Sequence, residues 1–145
     1  MIDHMTLHVR DIERSMAFYA YALAPLGYVA KAHHGPTLGF GVDDGTPHSD
    51  FYIAPLCDTP ASASPQVTQL PYITTHIAFL AFDCADVRAF YQAALHAGGR
   101  DNGAPGPRNY HIGYYSAFVL DPDGNNVEAV IDWSHRNGYA RTEKQ

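Results

Sequence analysis

Three side chains in this sequence are of the types and in the positions that could hold a metal ion. His4 and His76 each lie in a segment rich in β-branched and apolar residues, and Glu128 lies in a third such segment near the end of the chain. Two histidines and one carboxylate are the ligand set of many open metal sites, in which vacant coordination positions accept a substrate. The alternative is that each histidine is a hydrogen-bonded core residue and that the glutamate is solvated, which is the commoner role of such residues taken singly.

An internal repeat favours the metal interpretation, because it relates the two histidines to one another. A shift of the sequence that carries His4 onto His76 also aligns other positions in the same segment. The aligned pairs are Asp11 with Asp83, Ala17-Phe18-Tyr19 with Ala89-Phe90-Tyr91, and Gly27 with Gly99. Two copies of one supersecondary unit are therefore expected.

Each copy predicts the same run of elements. A strand (residues 2–9 and 73–81) precedes a helix-capping aspartate, a helical spacing of apolar residues and a terminating glycine. Further strands are predicted at 28–32, 37–42 and 50–54 in the first copy, and at 100–102, 114–120 and 126–132 in the second. The sequence therefore predicts a single α+β domain of two βαβββ modules in tandem. Module one covers about 1–55 and module two about 71–132, with a proline-rich linker at 55–71 and a polar tail after the second module.

Strand alternation predicts that all three candidate ligands lie on the face away from the helices. His4 alternates with Met5 and Leu7, whose apolar side chains should pack under the first helix. The repeat gives His76 the equivalent position, and Glu128 alternates with apolar neighbours in the last strand. The three side chains should therefore converge on one point within a cleft.

Composition excludes several other classes of function. The net charge is −6 and the sequence has no run of Lys or Arg, so a nucleic-acid partner is not expected. No apolar stretch approaches the ~18 residues that cross a bilayer, and the chain starts without the pattern of a signal peptide, so we expect a cytoplasmic protein with no membrane contact. Two cysteines, Cys57 and Cys84, are too few for a disulfide framework.

The three ligand-bearing segments resemble those of a known superfamily. They read DHMTLHVRDIERSMAFY, THIAFLAFDCADVRAFY and DPDGNNVEAV, and they are similar to segments of the vicinal-oxygen-chelate superfamily of glyoxalases, bleomycin-resistance proteins and extradiol dioxygenases. The resemblance, to a single-domain glyoxalase-like subgroup, covers nearly the whole chain. It implies paired modules around a half-open, barrel-like cleft, a divalent metal (Zn, Ni, Mn or Fe(II)) and a small substrate that binds through adjacent oxygens.

The chain departs from the better-known members at two positions. Glyoxalases carry a further acidic ligand at the end of the first module, where the resemblance aligns Ile53; we expect Ile53, and not Asp50, to face the cleft. The extradiol dioxygenases carry a catalytic histidine and then a tyrosine, which here correspond to His111 and Phe118. Neither reaction is therefore assigned by the resemblance alone. Thiol transferases of the superfamily need several basic groups, for which only Arg100 and Arg108 are available.

The segment 98–111 is rich in glycine, proline and polar residues, and it is expected to be either an ordinary surface loop or a lip over the metal. In the second case His111, Tyr110 and Tyr115 are the candidate catalytic residues for proton transfer. We predict a metal-dependent enzyme that forms a homodimer. The alternative is a metal-free protein that sequesters an aromatic compound, with a cleft lined by tyrosines and tryptophan: Tyr52, Tyr72, Tyr110, Tyr114, Tyr115 and Trp133.

Overall fold

The computed structural model describes residues 2–56 and 73–132. The first described part contains β1 (Met5–Val9), α1 (Ile12–Leu23), a short 3-10 helix (Ala24–Leu26), β2 (Tyr28–His34), β3 (Thr37–Val42) and β4 (Phe51–Pro55). The second contains β5 (His76–Leu80), α2 (Cys84–His96), β6 (Arg100–Pro107), β7 (Tyr115–Leu120) and β8 (Asn126–Ile131). The βαβββ order occurs in both parts, so the predicted α+β class and the two modules are confirmed.

Each module forms one four-stranded mixed sheet. The strand order is β1-β4-β3-β2 in sheet one and β5-β8-β7-β6 in sheet two. In both sheets the first strand of the module pairs in parallel with the last, and the remaining pairs are antiparallel. Neither sheet closes into a barrel, as expected for a half-open cleft. One face of each sheet is apolar, and we call the other its open face.

The helices begin and end where the sequence predicts. The Asp11 carboxylate accepts a hydrogen bond from the Arg14 amide, and the Asp83 carboxylate accepts from the Ala85 and Asp86 amides. These contacts satisfy amide groups that would otherwise lack a partner in the first turn. Gly27, with φ +82°, follows the 3-10 helix, because a left-handed backbone at this point favours glycine.

Both modules contribute to one hydrophobic core. Helix α1 packs against α2, and the Phe79 ring of β5 meets the rings of Phe51 and Tyr28 of module one, with centroids 5.3 Å and 5.4 Å apart. The Tyr19 hydroxyl of α1 donates to the buried Asp121 carboxylate of module two at 2.7 Å. Each sheet turns its apolar face to this shared core, so both open faces lie on the outside of it.

The glycine- and proline-rich segment is more ordered than its composition suggests. Strand β6 runs to Pro107, whereas the sequence predicted a strand over 100–102 followed by a loop, so this prediction is wrong. Strand β6 lies at the edge of sheet two and its register shifts between Asp101 and Gly103 and again between Gly103 and Gly106. An edge strand with bulges accommodates proline and glycine, because its outer amides need no partner within the sheet. The loop that remains, residues 108–114, we call the β6–β7 loop.

Several predictions lie outside the described residues. These are the interior of the linker, the polar tail, and the positions of Cys57, Tyr72 and Trp133. Among the residues that are described, no helix is both long enough and apolar enough to cross a membrane.

Candidate metal centre

His76 and Glu128 lie side by side on the open face of sheet two. Strand β5 pairs in parallel with β8, with Ala78 opposite Glu128, so the imidazole and the carboxylate are diagonal neighbours on one face. His76 Nε2 is 3.1 Å from Glu128 Oε2. Two donor atoms that bind one metal ion at about 2.0–2.2 Å each are themselves about 3–3.5 Å apart. The separation therefore suits two ligands of one metal, and it also suits a direct hydrogen bond.

The second oxygen of Glu128 is held by Tyr114. The Tyr114 hydroxyl donates to Glu128 Oε1 at 2.9 Å, and the glutamate is only 2% exposed. A buried carboxylate needs such partners, because it has lost its water. Burial, followed by the hydrogen bond to Glu128, raises the pKa of Tyr114, which keeps the hydroxyl protonated and donating. Glu128 thus directs one oxygen to Tyr114 and the other to His76.

The imidazole of His76 is oriented from its other nitrogen. Nδ1 lies 2.8 Å from the Asn126 side-chain nitrogen and 3.1 Å from the Asn126 carbonyl oxygen. The side-chain oxygen of Asn126 in turn accepts from Asn102 at 3.0 Å. If Nδ1 accepts from the amide, Nε2 carries the proton and donates to Glu128. If Nδ1 donates to the carbonyl, the lone pair of Nε2 faces the Glu128 carboxylate and the two repel each other. A cation bound between them removes this repulsion and makes the arrangement favourable.

His4 lies on the open face of sheet one, away from this pair. Its Nδ1 is 2.7 Å from the Asp3 carboxylate, and the hydrogen bond to His4 lowers the pKa of Asp3. The ring stands edge-on to Tyr52 at a centroid distance of 5.5 Å. Within the described part of one chain, no group of three or more His, Cys, Asp or Glu side chains is placed to hold a metal. The structure therefore brings His76 and Glu128 together in one chain and does not bring His4 to them.

The residue of module one that corresponds to Glu128 is Tyr52, and not Ile53. Thr6 pairs with Tyr52 in sheet one as Ala78 pairs with Glu128 in sheet two. Ile53 is fully buried in the core, so the prediction that it faces the cleft is wrong. A shift of one residue in the alignment of two strands reverses the face, and the sequence alone gave no register. The nearby acid, Asp50, accepts a hydrogen bond from the Tyr28 hydroxyl at 2.9 Å.

Sequence comparison assigns this arrangement to a family. A model of the glyoxalase/bleomycin resistance protein/dioxygenase superfamily matches residues 1–129, which span both modules. The chain belongs to this superfamily. The resemblance stated from the three sequence segments is thereby confirmed. No curated protein matches the chain.

Solved structures of the superfamily share the fold. A glyoxalase/bleomycin resistance protein from Albidiferax ferrireducens T118 is 24% identical, with a TM-score of 0.69 over 90% of this chain and 97% of the other. A glyoxalase/bleomycin resistance protein/dioxygenase family enzyme from Burkholderia phytofirmans PsJN is 20% identical, with a TM-score of 0.69 over 90% and 97%. Lactoylglutathione lyase from Agrobacterium tumefaciens is 19% identical, with a TM-score of 0.61 over 90% and 92%. At these identities the likeness concerns the fold.

The candidate catalytic residues of this superfamily member occupy different places. The rings of His111 and Tyr110 lie against the Tyr114 ring, with centroids 5.0 Å and 5.1 Å away, so both stand beside the partner of Glu128. His111 Nε2 is also 3.3 Å from the Asp132 carboxylate. Tyr115 instead packs against the core, because it lies on the face of sheet two opposite to that of Glu128. A cavity of about 620 Å³ is lined by residues of the β6–β7 loop, His111 and Tyr114 among them, together with Tyr115 and Cys84, whereas His76 and Glu128 do not line it.

The role of Tyr114 as the partner of Glu128 was missed at the level of sequence, which named it only as a possible cleft residue. The alternation of side chains along β7 contained the signal. Phe118 is the cross-strand neighbour of Glu128, and Tyr114 lies an even number of positions before it. Residues an even number of positions apart in a strand lie on the same face, so Tyr114, and not Tyr115, lies on the open face.

Proposed function

We propose that the chain is a divalent-metal-dependent enzyme of glyoxalase-like or dioxygenase-like type, which acts on a small substrate bound through adjacent oxygens. The observation that supports this most is the pair formed by His76 and Glu128. An imidazole and a buried carboxylate contribute little to a hydrophobic core. Each of these two side chains is nevertheless held in place by a further residue, His76 by Asn126 and Glu128 by Tyr114. Such partners are typical of the surroundings of metal ligands.

We infer that the third ligand, His4, comes from a second copy of the chain. Both open faces of one chain lie outside the shared core, and no three-ligand group forms within its described residues. If sheet one of one copy faced sheet two of another, His4 would approach His76 and Glu128. A twofold homodimer makes this contact twice and completes two sites. Leu80 and Val29, apolar residues on the two open faces that are 50% and 39% exposed, would be covered in the same contact.

The metal, when bound, would polarise a substrate oxygen as a Lewis acid, and Zn, Ni, Mn and Fe(II) all accept two imidazoles and a carboxylate. His111 and Tyr110 are the proposed proton-transfer residues, since both lie beside Tyr114. The Asp132 carboxylate, close to His111 Nε2, orients the imidazole ring, as a general acid or base requires. Because Tyr115 faces the core, we leave it out of this assignment.

Metal content tests this proposal directly. Wild-type protein, His76→Ala and Glu128→Gln should be purified without chelators and analysed for metal per chain. His96→Ala is the control, because His96 is exposed in the last turn of α2. We expect about one ion per chain in the wild type and in the control, and loss in the other two, with little difference in melting temperature when all four proteins are compared without metal. A wild type that takes up no divalent metal, or variants that retain it, would refute the proposal.

A metal-free binding protein is the second candidate, and the aromatic rings on the open faces favour it. The Tyr52 ring is near the rings of His4 and His34, and Tyr114 contacts Tyr110 and His111. Such surfaces stack on planar ligands. This candidate predicts that metal-free wild-type protein binds an aromatic compound such as bleomycin, and that Tyr52→Ala weakens the binding. Equal binding by that variant, or none by the wild type, would exclude it.

A further inference from the structure

Arg108 is a half-buried cation on the open face of sheet two that has only neutral partners. Its Nη2 donates to the carbonyl oxygens of Ala104 at 2.6 Å and Ser116 at 3.2 Å, and its Nε donates to Ser116 Oγ at 3.4 Å. Among the described residues, no carboxylate forms an ion pair with it. Lys31 differs in this respect, since its ammonium group lies 2.7 Å from the Asp44 carboxylate.

The hydrogen bonds leave one part of the guanidinium available. A guanidinium has five N–H donors, and both hydrogens of Nη2 and that of Nε are used. The two hydrogens of Nη1 have no acceptor among the described residues. Because the three bonds fix the plane of the group, these donors point in a set direction, which lowers the entropy lost when they bind a ligand. An exposed, unanchored arginine would not have this property.

Phe118 connects Arg108 to the candidate metal centre. The guanidinium carbon lies 5.1 Å from the Phe118 ring centroid, and the His76 ring centroid lies 6.2 Å from it. The guanidinium and the imidazole are therefore separated by at most the sum of these two distances. Phe118 is also the cross-strand neighbour of Glu128. A molecule bound at His76 and Glu128 that extends along the Phe118 ring would therefore meet Arg108.

We propose that Arg108 binds a carboxylate of the substrate, and that the natural substrate is a small organic acid. This inference rests on the proposed function, which it narrows by substrate class. A half-buried cation has lost part of its hydration, and a group of opposite charge offsets that loss. A substrate carboxylate would be such a group for Arg108. A carboxylate is favoured over a phosphonate, because one guanidinium matches one negative charge and planar oxygens suit the planar donor.

The test compares ligands that differ in one carboxylate. Metal-loaded protein is titrated by calorimetry with catechol and with 3,4-dihydroxybenzoate, which share the adjacent oxygens. Metal-free protein is titrated by NMR with benzoate and with benzamide. The variants are Arg108→Gln and Arg108→Lys, the second of which keeps the charge if the first fails to fold. Arg100→Gln is the control, because Arg100 is exposed at the start of β6.

We expect the wild type and Arg100→Gln to prefer the acid in each pair by about tenfold or more, as a charge-assisted hydrogen bond provides. Arg108→Gln should lose that preference, and Arg108→Lys should retain only part of it. A wild type without the preference, or an Arg108→Gln variant that keeps it, would overturn the inference. Metal content is measured first, so that a wild type without metal refutes the proposed function, while the metal-free titrations still decide whether Arg108 binds a carboxylate.

Discussion

The open faces of the two sheets share a framework but carry opposite arrangements of residues. In sheet two, the carboxylate of Glu128 on β8 is opposite the aromatic Phe118 on β7. In sheet one, the aromatic Tyr52 on β4 is opposite Gly39 on β3. The glycine is needed there, because a Cβ at Gly39 would lie 2.6 Å from an atom of the Tyr52 ring. The repeat thus retains a histidine at the start of each module and differs in the last strand.

Because of this difference, the two modules are expected to contribute unequally to a metal site. Module two holds a histidine and a carboxylate in contact, with Tyr114 and Asn126 to orient them. Module one offers His4 next to an aromatic ring, with no acid in the position equivalent to Glu128. A metal site would therefore depend mainly on module two and take a single ligand from module one. Four predictions test this comparison.

The largest effect is expected from Glu128 itself. Glu128→Gln removes the negative charge of the ligand, and we expect the affinity for a divalent metal to fall at least about 100-fold. The corresponding change in module one, Tyr52→Phe, should alter that affinity by less than about threefold, because the phenol is not proposed to be a ligand. Competition with a chromophoric chelator measures both. Equal losses in the two variants would show that the modules contribute alike.

A smaller effect should follow from the residue that orients Glu128. Tyr114→Phe leaves Glu128 Oε1 without its hydroxyl donor, and changes of this kind weaken metal binding by about 10–100-fold. Tyr110→Phe is the matched control, since the Tyr110 ring contacts that of Tyr114 and its hydroxyl forms no hydrogen bond among the described residues. The same chelator competition applies. If both variants bind metal like the wild type, Tyr114 does not position Glu128.

The third prediction concerns the contact between Gly39 and Tyr52 on the open face of sheet one, and what it measures is stability. Gly39→Ala should destabilise the fold by about 1–3 kcal/mol, because the added methyl group meets the Tyr52 ring and Ser49. At Gly106 of β6, a Cβ would have only an ordinary contact at 3.9 Å, so Gly106→Ala is the control and should change stability little. Urea denaturation measures both. A Gly39→Ala variant as stable as the control would mean that Tyr52 moves aside freely.

The smallest effect is a pH dependence confined to module one. The hydrogen bond from Lys31 lowers the pKa of Asp44 below the ordinary value of 3.8. A carboxyl group with a depressed pKa in the folded state stabilises the fold above its ordinary pKa, and this contribution disappears as the pH falls through the folded-state value. Asp44→Asn should therefore lower the melting temperature slightly at neutral pH and converge with the wild type in strong acid. Parallel curves throughout would contradict the assignment.

The sequence predicted the framework because its signals are local. The repeated Asp11 and Asp83 caps, the helical spacing and the glycine stops each act within a few residues, and the structure retains all of them. Strand β6 was missed because its glycines and prolines are tolerated only by its place at the sheet edge, which is a property of the whole fold. The face of Ile53 was predicted wrongly, and the role of Tyr114 was missed, for a related reason. Each depends on strand register, and an error of one residue exchanges the two faces.

The central claim is that the metal site combines His4 of one copy with His76 and Glu128 of another, and subunit mixing tests it most directly. His4→Ala and Glu128→Gln should each bind no metal when pure. When the two variants are unfolded and refolded together in equal amounts, half of the dimers should be mixed, and each mixed dimer has one intact site. Metal binding should then return to about a quarter of the wild-type level. If the mixture binds no more metal than the separate variants, the site is not shared between copies and the account is wrong.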